Sequence, residues 1–222
     1  MSGVVLSWSG GKDSALALWA MREELGVEPA ALLTTFTEDY GRVSMHAVRR
    51  PLLEAQAAAV GVPLVEVGIP AVCPNEVYEE RMAAALASPP LAEVEEFAFA
   101  DLFLADIRAY REGRLAAIGR RATFPIWGRE TGALARRFVD AGFAATLVCV
   151  DPRQLDRSFA GRAFDADLLR DLPASVDPCG ENGEFHTFVT AGPIFTAPVQ
   201  VEHGETVERD GFVFHDLLPL DK

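Results

Sequence analysis

Along the first half of the chain the hydrophobic positions follow two alternating periods. Short apolar runs at Val4 to Ser7, Ala31 to Phe36 and Leu64 to Val67 predict buried strands, and the segments between them carry apolar residues at helical spacing. Ser14 to Leu25 places Leu18, Met21 and Leu25 on one helical face and closes on Gly26; Arg49 to Val60 is an alanine-rich helix stopped by Gly61. Asn75 opens a predicted helix that reaches Ala87 and ends before Pro89-Pro90. Phe97 to Phe103 is the fourth expected strand, Asp106 to Ile118 the next helix, and Ala144 to Val150 a further buried strand. Such strand-helix alternation predicts an α/β fold with a mainly parallel sheet flanked by helices.

From Asp151 the pattern changes. Gly and Pro become frequent, and Phe185 to Val189, Val199 to Glu202 and Gly211 to Phe214 read as short strands, with a turn at Arg209-Asp210-Gly211. The expected organisation is a nucleotide-binding core over residues 1–100, followed over 101–222 by the rest of the core and a smaller C-terminal β-containing substrate region. A chain of 222 residues that is 50% hydrophobic has enough apolar surface for a core, which excludes disorder.

A formal net charge of −13 repels a phosphate backbone and disfavours nucleic acid as a partner. The exception is local. Arg108, Arg111, Arg114, Arg120, Arg121, Arg129, Arg136 and Arg137 stand against only Glu112 and Glu130, giving this stretch +6 and the remainder −19. The plain reading is arginines on outer helical faces. Lysine occurs only at Lys12 and Lys222, so position 12 keeps a compact ammonium in a chain that otherwise uses guanidinium. Cys73, Cys149 and Cys179 form neither a disulfide framework nor a Cys₄ site, and no apolar run reaches membrane-spanning length. These features predict a cytoplasmic protein with no membrane partner; a homodimer is compatible with them.

The most informative residues are Ser9-Gly10-Gly11-Lys12-Asp13-Ser14, between the first strand and the first helix. Adjacent glycines let backbone amides approach an anion, the helix start adds unpaired donors, Lys12 adds a cation, and Ser9 and Ser14 add hydroxyls. A Walker A loop would need Gly at position 6 and Ser or Thr at position 13, where Leu6 and Asp13 stand; a dinucleotide fingerprint fails because Gly10 and Gly11 are adjacent. A second cluster is Asp177-Pro178-Cys179-Gly180-Glu181-Asn182-Gly183-Glu184-Phe185-His186-Thr187. Strand alternation from Glu184 would put Glu184, His186 and Phe188 on one face and Phe185, Thr187 and Val189 on the other. Two carboxylates, an amide and an imidazole so gathered could bind Mg²⁺, orient ammonia or act as general base.

The six-residue loop resembles the pyrophosphate loop of the N-type ATP pyrophosphatases. Together with Ser44-Met45-His46, Phe99-Ala100-Asp101, Pro125-Ile126-Trp127-Gly128 and Gly180 to Thr187, it makes the chain similar over nearly its whole length to the diphthine-ammonia ligase family. That resemblance implies a Rossmann-like, adenine nucleotide alpha hydrolase-like fold. It also implies a reaction in which a carboxylate attacks the α-phosphate of ATP, releasing pyrophosphate, and ammonia then displaces AMP to leave an amide. The implied cofactors are ATP and Mg²⁺, the metal held mainly through the ATP phosphates. Lys12, Asp13 and Glu184 are the implied catalytic residues; Ser9, Gly10, Gly11, Lys12, Asp13, Ser14 and Phe36 the ATP site; and His46, Asp101, Trp127, Glu181, Asn182, Gly183, Glu184, His186 and Thr187 the substrate site. Ligases acting on diphthine carry Glu-Gly-Gly-Glu-aromatic-Glu-Thr/Ser where this chain has Asn182 and His186, a variant resembling a mainly bacterial branch for which amidation of corrinoid precursors has been proposed. Diphthine-ammonia ligation itself, tRNA modification and non-catalytic nucleotide sensing are the alternatives. No glutaminase unit is legible, so nitrogen would arrive as ammonia or from a partner protein.

Overall fold

The computed structural model describes residues 3–39, 41–43 and 48–220. The first sheet contains β1 (Val4–Ser7), β2 (Ala31–Thr37), β3 (Arg42–Val43), β4 (Leu64–Ile69), β5 (Glu96–Ala98) and β6 (Arg121–Thr123). Five of these run parallel in the order β4-β2-β1-β5-β6, while β3 folds back antiparallel on Phe36 and Thr37 at the end of β2. Its helices are α1 (Lys12–Glu23), α2 (Arg50–Val60), α3 (Asn75–Leu86) and α4 (Ala105–Ala116). β1 lies in the middle, and Val5 and Leu6 are wholly buried, as a parallel strand covered on both faces requires. The chain builds outward from β1 through β2 to β4, then returns to lay β5 on the other side. The sheet order therefore reverses beside β1, where open α/β sheets gather ligands at the strand carboxyl ends.

Past α5 (Thr131–Asp140) a second sheet forms from β7 (Ala144–Val150), β8 (Phe185–Ala191), β9 (Val201–Arg209) and β10 (Phe212–Pro219) in the order β8-β7-β10-β9, all antiparallel, with the short α6 (Ala166–Asp171) between β7 and β8. Ala144–Val150 is a buried strand as expected, but it opens this second sheet rather than continuing the first. An apolar run covered on both faces does not reveal the direction of its neighbours. The expected strand at Phe97 to Phe103 shortens to β5, because its partner β6 ends at Thr123 and the chain then turns toward α4. β9 and β10 are longer than expected: they make an exposed hairpin whose polar residues hide the strand period, joined through left-handed Asp210 (φ 53°) and Gly211 (φ 80°). β6 and α6 are too short to be read; α5 is amphipathic, with Leu134, Ala135 and Phe138 buried, and it is fixed by its cap, where the Glu130 carboxylate accepts the amides of Gly132 and Ala133.

One hydrophobic core runs through both sheets, joining Leu6, Leu16 and Leu53 to Leu147, Phe188 and Val213. At its centre is a buried polar joint. Gln56, with no exposed surface, accepts the Trp8 indole N–H at 3.0 Å and donates to the carbonyls of Gly10 and Val189. The Val189 amide donates in turn to the Gly10 carbonyl at 2.9 Å. No helix among the described residues is long and apolar enough to cross a membrane.

Candidate functional site

β1 releases the chain into Trp8-Ser9-Gly10-Gly11, and α1 begins at Lys12. Gly10 has φ 78°, and a Cβ there would lie 2.7 Å from Leu53 Cδ1 and 2.8 Å from Gln56 Oε1, so only glycine lets the loop press onto α2. Gly11 is the N-cap and supplies no side chain to the helix start. That work falls to a distant residue: the Lys12 amide donates to Thr187 Oγ1 at 3.0 Å. Within the loop the Ser14 hydroxyl donates to the Gly11 carbonyl at 2.9 Å and lies 3.3 Å from Ser9 Oγ. The amides of the first helical turn have no intrahelical acceptor, and together with the positive dipole end they suit an anion.

Lys12 is 2% exposed. Its ammonium is 2.8 Å from both Asp13 carboxylate oxygens and donates to the Cys179 carbonyl. Burial alone would lower its pKa, but the charge of Asp13 and the hydrogen bond to it hold the group above its ordinary value, so it remains a cation at every physiological pH.

The second loop faces this one. Asp177 sets the turn by accepting the Cys179 amide at 2.8 Å and the Thr131 hydroxyl at 2.7 Å, and Gly180 (φ 71°) packs so closely that a Cβ would meet the Phe185 carbonyl at 2.8 Å. Glu181, Gly183, Phe185, His186 and Thr187 line a cleft of about 560 Å³ opposite Ser9, Gly11, Lys12, Asp13 and Ser14. Burial, and then the charge of Asp13, push the Glu181 carboxyl up to about 7. Burial and the Lys12 charge push the His186 imidazole down, which favours its neutral form. Cys179 is buried and its thiol is pushed up to about 12 by desolvation, so it is no nucleophile at neutral pH.

Other expected site residues take different places. Glu184 is 1% exposed and turns away from the cleft: its carboxylate accepts the amides of Asp177 and Asn182, both at 2.9 Å, and the Asn182 side-chain amide at 3.0 Å. Glu184 and Asn182 thus brace the loop, and neither lines the cleft. Glu184 stands in the bend just ahead of β8, which begins at Phe185, so strand alternation does not extend back to it. Asp101 lines the cleft paired with Arg111 at 2.8 Å. Phe36 stands outside the cleft lining beneath the Arg50 guanidinium, and Trp127 does so beneath Arg108, packed edge-on against Phe124. Ser44, Met45 and His46 lie outside the described residues. Leu33, Thr34 and Thr35 of β2 do line the cleft and were not read from sequence; their position at the carboxyl end of a strand beside the sheet reversal is the signal that could have found them.

Among the described residues no group of three His, Cys, Asp or Glu side chains could hold a metal ion by itself. The donors present fit Mg²⁺ carried mainly by phosphate oxygens, with Asp13 as a cleft carboxylate beside the phosphate loop, since Mg²⁺ commonly takes one or two carboxylates beside its phosphates. The basic stretch is neutralised locally. Arg108 pairs with Glu112, Arg111 with Asp101, Arg114 with Glu79, Arg121 with Glu96, Arg129 and Arg137 with Glu24, and Arg136 with Glu130, while Arg120 donates to the carbonyls of Leu86 and Ala92.

Two family models match this chain in tandem. That of the diphthamide synthase N-terminal domain matches residues 1–121, and that of the diphthamide synthase C-terminal domain matches residues 130–216. Argininosuccinate synthase of Synechococcus sp. (strain JA-3-3Ab) is a similar protein, 28% identical over 236 residues that take in 94% of this chain and 57% of the relative. The chain therefore spans little more than half the length of that curated relative.

Proposed function

The chain belongs to the diphthamide synthase family, and from that premise we propose that it is an ATP-dependent ligase that adenylates a carboxylate, releasing pyrophosphate, and then amidates it with ammonia. The observation that carries this reading is the meeting of two loops across one cleft: the Ser9–Ser14 loop with its buried cation on one side, and Glu181 with His186 on the other. A site that only stored nucleotide would have no use for a carboxyl and an imidazole facing the phosphate loop.

In the proposed first step an oxygen of the acceptor carboxylate forms a bond to the α-phosphorus of ATP and the bond to the bridging oxygen of pyrophosphate breaks. The Lys12 ammonium and the Asp13 and Ser14 amides at the start of α1 hold the departing β- and γ-phosphates, and because they are already ordered they stabilise the developing charge without reorganisation. Asp13 would help hold Mg²⁺ carried in on the phosphates, and the metal would supply further charge neutralisation there. In the second step ammonia attacks the acyl carbon of the mixed anhydride, AMP leaves, and one proton is lost from nitrogen. Glu181 is placed to accept that proton, with neutral His186 beside it in the cleft lining. The inward turn of Glu184 removes it from the direct chemistry and gives it the task of holding the Glu181 loop.

Phosphorus NMR of the purified protein with ATP, Mg²⁺, ammonium and pools of carboxylated metabolites tests the reading. AMP and pyrophosphate formed only with an acceptor pool are the expected products. ADP and phosphate would refute α-phosphate attack, and ATP bound but unchanged with every pool would favour a nucleotide sensor.

A further inference from the structure

Beside the cleft, across Phe99 and Arg111, lies a groove of about 330 Å³ between α3 and α4, within the size range of small-molecule sites. The two spaces share Tyr78, Met82, Leu86, Phe99, Arg111 and Leu115 in their linings, so they adjoin across these side chains. Tyr78, Met82 and Leu86 are spaced four apart and form a stripe along α3, and Tyr110, Arg114 and Ile118 form the facing stripe at the same spacing on and just beyond α4. No residue of α3 is fully buried, and Tyr110 and Ile118 keep 55% and 54% of their surface exposed. Leu104 and Ile107, also exposed, continue the apolar surface along the cleft. Large apolar side chains concentrated at one opening mark a binding surface rather than scattered exposure.

Charge narrows the occupant. The groove is lined by three guanidinium groups, Arg111, Arg114 and Arg120; Arg114 pairs with Glu79 and Arg111 with Asp101, which leaves one positive charge in excess in a chain of net charge −13. Arg111 stands between groove and cleft, stacked 4.3 Å over the Phe99 ring and paired with Asp101 on the cleft side. We propose that the α3–α4 groove is the acceptor site, and that it takes a carboxylic acid with a flat or extended apolar body, the body between the two stripes and the carboxylate at Arg111, directed into the cleft toward the α-phosphate. This rests on the ligase reading above and narrows its substrate class. The adenine ring is not assigned to the groove, because the cleft has its own apolar wall at Leu33 and Phe97 beside the hydroxyls of Thr34 and Thr35.

Fluorescence titration with 1-anilinonaphthalene-8-sulfonate, a flat apolar anion, tests the site without turnover. The expected results are one saturable site on the wild-type protein, at least a tenfold weaker affinity in Ile118→Glu, whose new carboxylate repels the probe, and a similar loss in Ala83→Trp, which fills the groove from α3. ATP affinity, measured separately by calorimetry, should match wild type in both variants, which also shows that each is folded. Probe binding unaffected by both substitutions, no saturable binding, or competitive displacement of the probe by ATP would overturn the assignment. Failure of the ligase reading would appear elsewhere, as ATP that does not bind or that yields ADP.

Discussion

Thr187 caps the helix that begins at Lys12: its hydroxyl oxygen accepts the Lys12 amide hydrogen at 3.0 Å across 175 residues of sequence. A helix start normally finds its cap one residue upstream, but Gly11 has no side chain, so the cap comes from β8 in the other sheet. Thr187→Val keeps the shape and removes the acceptor. Thermal unfolding should show a loss of about 1–2 kcal/mol, and the Michaelis constant for ATP should rise more than the turnover number falls.

Lys12→Ala should abolish measurable pyrophosphate release, a fall of roughly 10²-fold or more by analogy with the loss of other preorganised charge donors. Lys12→Arg should not rescue it, because a guanidinium needs more room than a side chain 2% exposed between Asp13 and the Cys179 carbonyl can take. Initial-rate measurements of AMP formation in the two variants check both statements.

Glu181 predicts a pH profile. With its carboxyl pushed up to about 7, it is protonated below that pH and free to accept a proton above it, so amide formation at a fixed concentration of free ammonia should rise through about pH 7. Glu181→Gln should remove this inflection while leaving ATP-pyrophosphate exchange in place. The linkage to stability has the opposite sense. A carboxyl whose folded pKa exceeds its unfolded value contributes stability that is present below the ordinary carboxylate range and lost as pH rises through about 7. Denaturant titrations across that window should show the decline in the wild-type protein and a flatter curve in Glu181→Gln.

Glu184→Ala should act as a structural lesion. Two backbone amides and the Asn182 side chain lose their shared acceptor, at a cost of about 2–3 kcal/mol after the loop relaxes. ATP binding should stay near wild type and amide formation should fall, with partial recovery in Glu184→Gln, which retains one acceptor oxygen. Full recovery of neither stability nor rate by Gln, combined with an altered pH profile, would instead place this carboxylate in the chemistry.

Gln56→Leu is isosteric enough to keep the core filled, yet it strands the Trp8 indole and weakens the pairing of the Gly10 and Val189 carbonyls. Each buried group left unpaired costs about 1–3 kcal/mol, so a loss of about 2–4 kcal/mol is expected. For a chain of this size that lowers the melting temperature by roughly 5–15 °C, readable by calorimetry.

How much of this was legible in the sequence differs from element to element for physical reasons. β1, β2 and β4 were readable because strands covered on both faces are continuous apolar runs, and α2 because Gly61 (φ 78°) stops it in the left-handed conformation. The phosphate loop was readable because its parts are contiguous from Ser9 to Ser14. The β9–β10 hairpin was only half readable, since Glu202, His203, Glu205 and Thr206 face solvent and carry no apolar period. The role of Glu184 was hidden because it sits in the bend just ahead of β8, where its direction is set by the amides it accepts and not by strand alternation. The groove between α3 and α4 was hidden for another reason: apolar helical stripes look alike whether they meet a neighbour or a ligand.

The contact between Gly10 and Val189 also has a consequence in time. During synthesis the phosphate loop leaves the ribosome about 175 residues ahead of Thr187, and at about 5–20 residues per second this is a wait of roughly 10–35 s. Through that interval the Lys12 amide lacks its acceptor, and Gln56 lacks its Val189 partner. The nascent parallel sheet is therefore a half-finished object whose most functional turn is also its least secured, and the last third of the chain acts as the keystone that sets it.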